Sequence, residues 1–80
     1  MTKDELTQVM TRELQTERHI VANCTKVMEL LKPEFDKFEA REEFNQYIVR
    51  MYVDHKNEKQ AAMKKVEAIL YFMDLQTLED

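Results

Sequence analysis

The chain has 80 residues, 44% apolar and 35% charged, with twelve basic and sixteen acidic side chains and a net charge of −4. It contains no glycine, serine or tryptophan, which excludes Gly-rich phosphate loops, the dinucleotide fingerprint and the commonest acyl-transfer nucleophile. Residues 1–40 and 41–80 each carry six basic and eight acidic groups, so neither half is a basic arm, and binding to a phosphate backbone is disfavoured as the main task.

In chain order, residues 3–31 predict one long amphipathic helix. Leu6, Val9, Met10, Leu14, Ile20, Val21, Cys24, Val27, Met28 and Leu31 fall within one arc of about 140° at about 100° per residue. Thr2 with Glu5 three positions on has the spacing of a capping box, and Pro33 is the expected stop. Residues 33–39 are expected as a short helical turn or connection with Phe35 and Phe38 tucked beneath it.

A second helix is expected over 41–55, with Phe44, Tyr47, Ile48, Met51 and His55 on one face. Asn57 with Gln60 repeats the capping spacing, so a third helix is expected over 57–75. Its core face would be Ala62, Val66, Ile69, Leu70 and Met73. Its other side carries a second apolar stripe of Ala61, Ala68, Tyr71, Leu75 and Leu78, interrupted by Lys64. Short connections favour antiparallel neighbours. The expected fold is therefore all-α, a single domain built as a small three-helix up-down-up bundle with a long N-terminal helix.

One helix cannot turn two apolar faces to a single small core. A core of this size also gains little more from burial than it loses in chain entropy, about 1.5 kcal/mol per ordered residue. The surplus predicts dimerisation, with Tyr47, Tyr52, Ala68, Tyr71, Phe72, Leu75 and Leu78 as the protein interface. Lone Cys24 cannot form an internal disulfide, and the charged stretch Met1–Glu5 is not followed by a leader-like apolar run. A reducing cytoplasmic setting is the corresponding expectation. No stretch reaches the ~20 apolar residues of a membrane span.

Glu13 and Glu17 project into the apolar arc of the first helix. A carboxylate there must be solvated, paired or protonated. Either the N-terminal half of the helix overhangs and meets water, or the two groups set the register of an interface by facing Arg or Lys. Neither His19 nor His55 follows a Glu by three positions, so a di-iron bundle pattern is absent and no metal or other cofactor is expected. Cys24, among Ile20, Val21, Val27 and Met28, reads as a small core hydrophobe rather than a nucleophile. Lys56, Lys59, Lys64 and Lys65 gather within ten residues and are the candidate contact for nucleic acid in an alternative reading, a small dimeric DNA-binding regulator. The favoured reading is a non-enzymatic protein-binding module, a small cytosolic regulator, inhibitor or adaptor acting through an apolar helical interface.

Overall fold

A computed structural model of the chain describes residues 2–78. It contains two helices, α1 over Lys3–Glu39 and α2 over Gln46–Leu78. They pair antiparallel: Asn45 meets Glu34, Tyr52 meets Phe35, and Lys65 meets Glu17, so later positions on α2 find earlier ones on α1. The hairpin measures 57 × 17 × 15 Å, and its radius of gyration is 17.5 Å. A compact domain of this length would have about 12 Å.

The expected three-helix bundle is thus corrected to a two-helix hairpin that remains all-α. The bounds 3–31, 33–39, 41–55 and 57–75 do not hold, because two of the expected breaks are helical. Pro33 lies inside α1 with its ring exposed. A proline removes one helical N–H, but Leu31 and Phe35 on either side continue the sheltered face, and their packing carries the helix onward. Asn57 and Gln60 lie within α2 and cap nothing. The polar run from His55 to Gln60 resembles a connection, yet it contains neither glycine nor proline and has room to be solvated on the outside of one long helix.

Sheltered side chains recur at alternating steps of three and four. On α1 they are Met10, Leu14, Glu17, Val21, Cys24, Met28, Leu31 and Phe35, and on α2 Ile48, Tyr52, His55, Lys59, Ala62, Val66, Ile69 and Met73. This is the spacing of an antiparallel coiled coil. Two helices make a thin object, and among the described residues only Leu14, Glu17, Cys24, Val49, Tyr52 and Ala62 are buried, Cys24 most completely.

Both ends of the connection are closed by hydrogen bonds. Arg41 N–H donates to the Phe38 carbonyl at 3.1 Å, and Glu42 N–H donates to the Lys37 carbonyl at 2.9 Å. That pair of bonds is the Schellman motif, and it requires a left-handed residue, here Arg41 with φ of 59°. Asn45 starts α2, its Oδ1 accepting from the N–H groups of Tyr47 and Ile48 at 3.0 and 3.4 Å. At the other end of α1, Thr2 Oγ1 accepts from Glu5 N–H at 3.2 Å, as the capping spacing implies.

Candidate interaction surface

The inner seam carries several polar groups. Glu17, only 6% exposed, lies with Oε1 3.6 Å from Lys65 Nζ, whose chain reaches in from solvent. Burial pushes the Cys24 thiol up, reinforced by the Glu58 carboxylate beside it. A thiol held protonated and 1% exposed is a poor nucleophile. His55 Nδ1–H donates to the Met51 carbonyl at 2.7 Å, one turn back on the same helix. Glu34 accepts from Asn45 N–H at 2.7 Å and lies 3.3 Å from Lys37 Nζ, and these two contacts, the backbone one foremost, hold its carboxyl below the usual range. Among the described residues no three His, Cys, Asp or Glu side chains are grouped to hold a metal ion, and no helix is long and apolar enough to cross a membrane.

At the turn, the rings of Phe35 and Tyr52 stack with centroids 4.2 Å apart, and Phe38 meets Phe44 edge-on at 5.1 Å. Tyr52, expected at the protein interface, is therefore used inside the hairpin. The other expected interface residues are disposed differently. Tyr47 is 69% and Tyr71 67% exposed, and Ala68, Phe72 and Leu75 are exposed as well. Leu78 lies outside the residues whose side chains are described. Glu13 is exposed, whereas Glu17 is buried and reaches Lys65 within the chain, so the two carboxylates do not act as a pair.

The lysines do not form one basic face. At 100° per residue, Lys64 points about 80° from Lys56, and Lys65 a further 100° on. Lys59 sits in the seam and Lys65 is drawn towards Glu17. A duplex would meet these cations from several sides at once, which weakens the nucleic-acid alternative.

The outward surface has two broad sides. One holds the open grooves between the helices, lined in part by Val21, Met63 and Val66 and, nearer the turn, by Thr25, Met28 and Tyr52. The other is marked by the Glu17–Lys65 and Cys24–Glu58 contacts. On this second side α2 carries an exposed stripe, again at steps of four and three: Tyr47, Met51, Asp54, Glu58, Ala61, Lys65, Ala68, Phe72 and Leu75. Leu30, 77% exposed, lies one turn from Lys26 on the outer face of α1. Expectation missed Met51 and Leu30 as surface groups. The signal was present as a spacing that continues unbroken through 55–60, but dividing the helix there hides it.

No family model, no curated protein and no solved structure matches the chain.

Proposed function

We propose that the protein is a non-enzymatic interaction module, a small regulator, inhibitor or adaptor that works by presenting apolar helical surface to a protein partner. One observation carries this reading. Among the described residues twelve large apolar side chains are exposed, against five buried apolar ones. Single exposed apolar residues are ordinary, but contiguous ones mark contact surfaces. Tyr47 with Met51, and Phe72 with Leu75, form two exposed apolar patches on one side of α2, separated by Asp54, Glu58, Ala61, Lys65 and Ala68, with Tyr71 bordering Leu75. Cys24 is sealed and its thiol is pushed up by burial and by Glu58, so it is a poor nucleophile, and His55 is engaged with the Met51 carbonyl, which favours binding over catalysis.

A photo-crosslinking amino acid placed at Tyr47 or Leu75 in living cells tests the reading. Covalent protein adducts are expected from both positions and not from Lys26, which faces solvent on the outer side of α1. Absence of any adduct from either position would overturn it.

A further inference from the structure

We propose that the partner is a second copy of this chain, packed α2 against α2 in antiparallel fashion about a two-fold axis at Ala61, so that two hairpins form a four-helix bundle. This rests on the interaction reading above and adds to it the partner and the centre of the contact.

The order of residues along the exposed stripe carries the argument. In an antiparallel self-contact, positions equally far before and after the axis face each other. With the axis at Ala61, Tyr47 faces Leu75 of the second copy, while Met51 comes within one residue of register with Phe72 and Glu58 within one residue of register with Lys65, an offset of about 1.5 Å along the helix. Large apolar groups meet large apolar groups at the flanks, opposite charges meet one turn from the centre, and one of the two alanines of the stripe sits on the axis itself. Asp54 faces Ala68 and is opposed by no charge. Neighbouring registers lose this match. An axis at Glu58 sets that carboxylate on itself, an axis at Lys65 sets two ammonium groups together, and a parallel arrangement does both.

The surface area points the same way. The accessible surface is 6422 Å², whereas a compact chain of 9.7 kDa exposes about 5100 Å². The excess of about 1300 Å² matches what one subunit loses in an obligate homodimer, where the two together bury about 2000 Å² or more. A layer of two helices 57 Å long also needs a partner of equal length, and a second hairpin supplies it by symmetry. Lys65 is 3.6 Å from Glu17 and mostly exposed, so its ammonium group can lie between Glu17 and Glu58 of the second copy without leaving the first.

Sedimentation velocity on the purified chain should show a dimer at micromolar concentration. Ala61→Arg should convert it to monomer while circular dichroism still reports helix, because Ala61 is exposed in the hairpin and arginine is a good helix former. Glu58→Lys should weaken association at least tenfold. Ala61→Cys should form a covalent dimer under mild oxidation much faster than Lys56→Cys, an exposed position about 140° round the helix from Ala61, with buried Cys24 as the internal control. A wild-type chain that stays monomeric at high micromolar concentration overturns the proposal. So does a dimer that survives Ala61→Arg, or oxidation no faster at 61 than at 56. In each of these cases, in-cell adducts from Tyr47 or Leu75 to a different protein would leave the interaction reading standing and remove only the second copy.

Discussion

The turn end of the hairpin and its middle are held together by different means. At the turn, four aromatic rings are in contact, Asn45 caps α2, and Glu34 clamps the backbone of Asn45 from the opposite helix. In the middle, the seam interleaves Val21, Met28, Leu31 and Val66 with Glu17, Cys24, His55, Lys59 and Ala62, which are small, polar or charged. The comparison teaches that register is set at the turn, where bulky rings fit in one way. The middle is helical because neither glycine nor proline interrupts α2 and because its flanks are anchored. A middle that buries so little leaves apolar side chains on the outside, where a second layer can use them.

The largest break in this contrast should come from Tyr52→Ala. It removes the ring stacked on Phe35 and should cost about 3 kcal/mol in denaturant unfolding at fixed protein concentration. A loss below about 1 kcal/mol would show that the turn does not anchor the hairpin. Glu17→Leu should act in the opposite direction, because an apolar side chain in the seam replaces a buried carboxylate whose cationic partner can return to water. A gain of about 1–2 kcal/mol is expected, and a loss would mean that the polar middle holds the pairing after all.

Arg41→Gly sharpens the turn side of the comparison. Glycine adopts the left-handed conformation freely, so despite its greater unfolded-state entropy the change should stabilise by about 0.5–1 kcal/mol in thermal melts. An unchanged or lower melting temperature would count against strain at that position.

The smallest effects are those of pH, and they differ in sign between the two regions. At the turn, the Glu34 carboxyl is held below its ordinary value of 4.5, so its contribution is present above that pH and is lost as the pH falls through the folded value. In the middle, the Cys24 thiol is held above its ordinary value of 9.0. Its contribution is full below that pH and is lost as the pH rises through the folded value. Urea titrations of Glu34→Gln and Cys24→Ala against the parent chain, at acid and alkaline pH respectively, should each remove the corresponding slope. A slope that persists in either variant would reassign it to another group.

The readings that held were local or compositional. The Thr2 cap follows from a hydroxyl placed three residues before an amide it can reach, and the inward arc of Leu14, Cys24 and Met28 follows from the helical period. The readings that failed concerned where helices stop. Pro33 and the Asn57–Gln60 pair carry ordinary stop and start signals, and in both places packing on either side outweighed them. Asn45, the true cap of α2, was legible as an asparagine just before an apolar run, but the shared face of Phe44 and Tyr47 drew the start of the expected helix five residues too early. Glu17 could be recognised as an intruder on an apolar face, though not as the partner of Lys65, because that pairing depends on the register of two helices 48 positions apart in sequence.

By itself, then, the amino-acid sequence determined that the fold is all-α, because the chain lacks glycine and carries apolar residues at helical spacing in every long segment. Only the tertiary structure decided that there are two helices and not three. Continuity through a proline or a polar run depends on what each flank packs against, a nonlocal balance that no short stretch contains. The same balance places Tyr52 inside and leaves Tyr47, Met51, Phe72 and Leu75 outside, since one partner helix can cover only one seam of α2.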